Sequence, residues 1–384
     1  MPTLRRVRGL ALVSCALSLT ACMSATTTRE QPRTQTVVSP DRATELKLLQ
    51  PRAVHHATTL RDGRVLITGG CTLPGCGGFE EGRVSELFNP KSGTFAKGPV
   101  LLAPRAGHTA TLLPDGRVLL VGGYPGEGLP ATATAELFDP AAGRFVAAES
   151  MTTPRADHSA TALADGRVLI CGGVDGDGKA LSTTEFFDPR TGMFRPGPTM
   201  SSARNGHAAV VVDGGLMLVG GVLDARAVAT TDVLLRGRWS PGPQLRTARV
   251  KHAAVALPDG RVLVIGGAPS TEGRTLLAST EIVDLPAASV QPGPRLSEGE
   301  YKLIDAVVTL ADGRVVIAAG SQINVYDPAV GDMSVLTSPQ LPRRSFVTAT
   351  AVGKRTVLVA GGYDDSITPL DTAAVVEIPA RTRS

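Results

Sequence analysis

DGRVLLVGG (115–123) opens on an Asp-Gly pair, passes through one arginine into four consecutive aliphatic residues, and stops on two glycines. Asp-Gly is the strongest short hairpin signal, because both positions tolerate positive φ. An unbroken aliphatic run of this length, bounded by turn residues, predicts a strand buried on both faces. The phrase returns as DGRVLITGG (62–70), DGRVLICGG (165–173), DGGLMLVGG (213–221), DGRVLVIGG (259–267), DGRVVIAAG (312–320) and GKRTVLVAGG (353–362). Its last glycine falls at 70, 123, 173, 221, 267, 320 and 362, a period of 42 to 53 residues. Self-similarity at such a period marks one supersecondary unit repeated around or along an axis.

Working outward from the phrase, each copy carries further fixed positions. A basic residue lies 16 or 17 residues before the glycines: Arg52, Arg105, Arg155, Arg204, Arg249, Lys302 and Arg344. Three residues after it come His55, His108, His158, His207 and His252, with Asp305 and Val347 in two degenerate copies. A third stretch carries an acid and aromatics, as in Glu136-Leu137-Phe138, and closes on Asp139-Pro140. A fourth begins at Phe95, Phe145, Phe194 or Trp239, ten residues before the next arginine. Four strands per repeat make a propeller blade.

These positions together (Arg-x-x-His, Asp-Gly-Arg-Val-Leu-x-x-Gly-Gly, Glu-x-Phe-Asp-Pro and a late aromatic) resemble the bacterial form of the kelch repeat, over roughly residues 48–378. The resemblance implies an all-β, seven-bladed propeller of four-stranded antiparallel blades, related to the central propeller of galactose-oxidase-type proteins. The seventh blade lacks a fourth strand, since the chain ends soon after Glu377-Ile378. An open strand there invites aggregation. Residues about 35–48 are therefore expected to supply it and close the ring.

Blade topology sorts the loops by face. The first and third turns, short Asp-Gly and Pro-x-x-Gly sequences, share one face. The second turns share the other, and between the last glycine and the acid of strand three they hold 15, 12, 11, 10, 13, 3 and 14 residues in blades 1 to 7. Long variable loops on a rigid scaffold are where binding residues concentrate, so a ligand site is expected on the long-loop face.

The arginine ring admits two readings, an anion-binding crown or a set of blade staples. An acid is available for six of the seven, in Glu86, Glu136, Glu185, Asp232, Glu281 and Glu377. Guanidinium–carboxylate pairs hold such positions well, and a residue repeated in every blade is expected to serve the blade. The histidine slot is read the same way, because separate histidines around a ring do not converge within about 2.1 Å of one metal ion. No metal and no cofactor is expected. Some secreted kelch-type propellers are copper radical oxidases with two tyrosines and two histidines; here Tyr124, Tyr301, Tyr326 and Tyr363 are all without a following histidine. Asp175-Gly176-Asp177-Gly178 departs from a calcium loop at Lys179 and Ala180. Cys71 and Cys76 bracket a short turn and are disulfide candidates in an oxidising compartment. Cys171 replaces an aliphatic residue in a second strand and is expected to be a buried thiol. No phosphate-binding glycine loop and no nucleophile elbow is present.

The N-terminus is an address. Arg5, Arg6 and Arg8 precede the apolar run 9–21, a signal-peptide layout too short to span a bilayer permanently. Leu19-Thr20-Ala21-Cys22 resembles the bacterial lipoprotein lipobox, which implies lipidation of Cys22 and cleavage before it. The domains expected are a signal peptide (1–21), a Ser/Thr/Pro-rich flexible tether (22–40) and the propeller (41–384). The absence of aspartate after Cys22 points to the outer membrane. The 39 basic residues against 35 acids give +4, and three of those positive charges belong to the signal. So nearly neutral a body argues against a nucleic-acid partner, which needs a concentrated basic face. The function expected is a lipid-anchored cell-envelope module that binds or scaffolds a protein or glycan through its long-loop face. The alternative is a periplasmic carbohydrate-active enzyme, epimerase- or mutarotase-like, on that same face.

Overall fold

The computed structural model describes residues 37–38, 43–273, 275–336 and 342–381. The signal segment, Cys22 and most of the tether lie outside them. The described chain is all-β: seven antiparallel sheets of four strands in a ring, with two short 3-10 turns at Pro74–Cys76 and Glu81–Arg83. Blade 2 is representative, with Thr109–Leu112, Val118–Val121, Ala135–Asp139 and Arg144–Ala147 running from the axis outward.

Closure occurs where the sequence places it. Ala43–Lys47 pairs antiparallel with Thr372–Glu377, from Ala43 opposite Val376 to Lys47 opposite Thr372, and becomes the fourth strand of blade 7. Val37–Val38, inside the segment assigned to the tether, pairs parallel with Val335–Leu336 and adds a fifth strand to blade 6.

The second strands explain their own unbroken aliphatic runs. Val118 and Leu120 pack with Leu60 and Leu66 of blade 1, whereas Leu119 and Val121 pack with Val168 and Ile170 of blade 3. Alternate side chains of one strand thus enter two inter-blade cores, and neither face meets water. Each such side chain contributes about 1.5–3 kcal/mol on burial. Between strands three and four, Phe88–Phe95, Phe138–Phe145 and Phe187–Phe194 meet with ring centroids 4.9 to 5.2 Å apart.

The double glycine joins one blade to the next. The second-glycine amide donates to a carbonyl of the following blade, in six cases that of its arginine, as in Gly123 N to Arg155 O, and in one that of Glu300; the last such bond runs from Gly362 to Arg52, and the seven span 2.7 to 2.9 Å. Gly122 (φ 63°) and Gly123 (φ 90°) are left-handed, and a Cβ on Gly123 would stand 2.7 Å from the Ala106 carbonyl. Only glycine allows that approach.

Two expectations are corrected. The hairpin between strands one and two holds three residues rather than two in six blades; in the five with Asp-Gly-Arg, as in blade 1, Leu60 N donates to Arg64 O and Gly63 N to Leu60 O, and only the glycine has positive φ. The aspartate instead caps the turn, Asp62 Oδ1 accepting Arg64 N and Oδ2 accepting Arg64 Nε. The register of blade 6 is also displaced by two residues. Gly267 N donates to Glu300 O, so Glu300 occupies the arginine slot and Leu303 the histidine slot. Lys302 and Asp305 fall elsewhere.

Candidate ligand-binding face

Arg52, Arg105, Arg155, Arg204 and Arg249 are buried, each within 2.8 to 3.2 Å of Glu86, Glu136, Glu185, Asp232 or Glu281 in its own blade. Each also donates through Nη1 to the first-glycine carbonyl. The four glutamates additionally accept lead-in amides, as Glu185 does from Thr152 and Thr153. These pairs leave no guanidinium face for an anion. Arg344 departs from the expectation: Glu377 pairs with Arg355, and Arg344 donates to the carbonyls of Pro342, Gly361 and Thr372 and to the Thr372 hydroxyl. Burial alone brings its pKa down to about 10.

The five slot histidines are buried, and four of them are linked to neighbouring blades. His55, His108, His158 and His207 contact the hydroxyls of Thr348, Thr68, Thr109 and Ser159 at 2.9 to 3.3 Å. Burial, aided by the nearby arginines, lowers their pKa values, to about 3 for His158 and His252. They are neutral spacers. His56, next to the slot, is different. It faces the axial channel with Nδ1 3.0 Å from Asp305 Oδ2 across the ring; burial opposes its charge, but Asp305 outweighs burial and raises its pKa.

The positions that differ between blades lie two residues after the arginine slot. Val54, Gly107, Asp157, Gly206, Lys251, Lys302 and Phe346 form a lip around the axis, all with φ between 52° and 62°. Gly206 N donates to Asp157 O and Lys251 N to Gly206 O, so the lip is partly stitched by its own backbone. Glycine meets this conformation without strain, as blades 2 and 4 do. Five blades instead keep a side chain there, at a cost of order 1–3 kcal/mol each.

The lip forms the floor of a basin of about 780 Å³ on the long-loop face. Its walls are the second-turn loops of blades 1, 2, 3 and 7, with Phe79, Tyr124, Leu129, Asp175, Tyr363 and Ile367. Below the lip the basin narrows to a neck of about 60 Å³ at His56 and Asp305, then widens to about 260 Å³ between the first strands. A disulfide joins Cys71 to Cys76 with Cα atoms 4.7 Å apart, holding the blade 1 loop at the rim. Cys171 is a buried free thiol, raised to about 12 by burial.

The basin's charges are segregated. On one side Asp157 is hydrogen-bonded to Tyr124; burial raises the Asp157 pKa against the pull of Lys251 and of that hydroxyl, and raises Tyr124 to about 12. On the other, the Lys251 and Lys302 ammonium groups lie 4.7 to 5.6 Å from the ring centroids of both Tyr301 and Phe346. Burial, then Lys251, lowers the pKa of Lys302. The short-turn face also holds a depression, of about 860 Å³, between blades 4 and 5. Arg261 and Asp259 there are paired with each other at 2.6 Å.

The lip escaped sequence reading because its signal is divergence inside a repeat. Within Arg-x-?-His the queried residue is the one that changes character, and the shifted register of blade 6 hid Lys302.

Comparison with known proteins fits this geometry. Residues 154–201 match the Kelch motif. The matched stretch spans blade 3. Among solved structures, a fungal alcohol oxidase of the AA5 family in complex with copper superposes with TM-score 0.69 at 15% identity, covering 88% of this chain and 76% of its own. The structure of YjhT superposes with TM-score 0.58 at 12% identity, covering 87% and 97%. At such identities the likeness is one of fold, which hosts many unrelated sites. No curated protein matches. The donor set of this propeller does not fit a copper centre. Among the described residues no three His, Cys, Asp or Glu side chains converge, the Tyr124 hydroxyl is engaged by Asp157, and the slot histidines are enclosed between blades. Asp175 Oδ1 accepts the amides of Asp177 and Lys179 within its own loop.

Proposed function

We propose that this protein is a lipid-anchored propeller of the bacterial outer membrane that captures a protein or glycan partner in the axial basin of its long-loop face. The observation that carries the reading is the lip: five side chains kept at positive φ where glycine does the backbone's work, all opening on one basin. Strain held at a concave site is a pointer to function. The Kelch propeller fold supports a binding or scaffolding module, and the lipobox-like Leu19–Cys22 supports attachment through Cys22, with several acyl chains giving firmer hold than one.

Cross-linking on native envelopes tests the capture. The triple variant Asp157→Gly, Lys251→Gly, Lys302→Gly is expected to lose the partner that wild type retains while melting no lower. Equal capture by both proteins refutes the basin as the site. Cys22→Ser is expected to move the protein from the membrane to the soluble fraction with an unchanged circular dichroism spectrum; persistence in detergent-dependent fractions refutes the anchor.

A catalytic reading, a carbohydrate-active enzyme, draws on the Tyr124–Asp157 pair, whose raised pKa values fit proton transfer. It requires turnover of a reducing sugar that Asp157→Asn abolishes.

A further inference from the structure

Lys251 and Lys302 stand on adjacent blades at one level of the lip, and among the described residues neither forms an ion pair within 4 Å, although the charge of Lys251 reaches Asp157 on the same lip. Both ammonium groups face the same two rings, Tyr301 and Phe346. Two like charges held together in a concave, partly buried place repel each other until an anion joins them. A second, independent observation lies in the wall of the same basin. Tyr363 is only 3% exposed, lines the basin, and its hydroxyl has no hydrogen-bond partner. Buried polar groups of this kind are nearly always satisfied, so this donor awaits an acceptor.

We propose that Lys251, Lys302 and Tyr363 form a receptor for a single carboxylate presented by an apolar protein segment. This deepens the binding reading above and rests on it. The acidic wall limits the occupant to one negative charge: Asp157, Glu127 and Asp175 line the other side of the basin, and a polyanion would meet them. The rim decides the class of partner. Leu73, Leu129 and Ile367, on the loops of blades 1, 2 and 7, are 53%, 53% and 51% exposed, and aliphatic side chains complement the apolar side chains of a peptide rather than sugar hydroxyls. The volume, about 780 Å³, lies within the usual range for ligand pockets, about 300–1,000 Å³.

The test uses the full chain with 13C-labelled lysine, titrated with acetyl-Leu-Glu-Leu-amide, its glutamine counterpart, the glutamine peptide with a free C-terminal carboxylate, and glucuronic acid. The glutamate peptide is expected to shift the Lys251 and Lys302 side-chain resonances saturably and to bind about tenfold more tightly than the neutral one. Lys251→Met with Lys302→Met should erase that preference, and Tyr363→Phe should reduce it. Tighter binding of the free-acid peptide than of the glutamate peptide would identify the source as a chain end, and the reverse an acidic side chain. Equal binding of the neutral peptide, or glucuronic acid binding as well as the glutamate peptide, overturns the proposal. If no peptide binds while envelope capture still depends on the lip, this inference fails and the binding reading stands.

Discussion

Blades 3 and 6 have the same four strands and the same amide-to-carbonyl bond from the preceding blade, yet opposite chemistry at their staples. In blade 3 Arg155 is 3.1 Å from Glu185 and His158 reaches Thr109 at 3.0 Å. In blade 6 Glu300 stands in the arginine's place, Asn324 in the glutamate's and Leu303 in the histidine's. Asn324 Oδ1 still accepts the lead-in amide of Ser297 at 2.9 Å, as Glu185 accepts those of Thr152 and Thr153. Burial, then the charge of Glu298, raises Glu300 to about 8, against the pull of Arg343. The charged pair has thus been replaced by two neutral groups, which avoids a lone buried charge. Blade 7 is a third solution, a lone Arg344 held by carbonyls. Backbone bonds and aliphatic layers define the blade, and the staple has several chemistries.

Breaking the staple where it is charged should have the largest effect. Arg155→Ala leaves Glu185 buried without its partner, at a cost of about 3–5 kcal/mol. Chemical denaturation should show losses of the same sign for Arg105→Ala and Arg204→Ala. Near-normal stability of all three variants would mean that these pairs do not hold the ring.

A smaller and pH-dependent effect is expected in blade 6. The folded-state pKa of Glu300, about 8, lies above the unfolded value near 4.5. Below pH 4.5 both states carry the proton and the residue is neutral in its effect. Between the two values the unfolded state has released its proton and the folded state has not, so stability falls as pH rises, by at most about 1.4 kcal/mol per unit. Glu300→Gln removes this slope, and its advantage over wild type should grow from pH 5 to pH 8. The same substitution at Glu185 should destabilise at neutral pH instead. Parallel stability curves for wild type and Glu300→Gln would show that Glu300 is ionised in the fold.

Much of this was legible in the sequence because it repeats. The Asp-Gly turns, the aliphatic second strands, the glycine pairs and the arginine–acid slots each recur often enough to fix seven blades and their seam. Where the repeat lapses, sequence reading falters for a physical reason: the slot is defined by a backbone hydrogen bond, which leaves no mark on residue identity. Lys302 is the basic residue at the arginine's spacing, while Glu300 makes the bond. Glu377 was available to Arg344 by composition, yet in register Ala374 lies opposite Val359 where Glu281 lies opposite Val264. The basin was foreseen as a face but not as residues, since its floor is the one slot in which the blades disagree.

The smallest change in stability, and the sharpest contrast with Arg155, should come from the lip. Lys302 has φ 62°, a conformation that costs a side-chain-bearing residue roughly 1–2 kcal/mol. Replacing it with glycine removes that strain but adds freedom to the unfolded chain, an opposing term of about 0.5–1 kcal/mol. Removing the charge relieves repulsion by Lys251 and gives up the contacts with the Tyr301 and Phe346 rings, two small terms of opposite sign. Lys302→Gly is therefore expected to unfold at the same denaturant concentration as wild type or up to about 1 kcal/mol later. The reverse change, Gly107→Ala, puts a Cβ at φ 61° with its nearest neighbour, Asp157 Oδ1, at an unstrained 3.4 Å. It should cost about 1 kcal/mol from backbone strain alone. A gain at Lys302 with a loss at Gly107 would establish that the lip side chains are held against the preference of the backbone. A loss of several kcal/mol at Lys302 would instead make it part of the staple system and remove the distinction between the two slots.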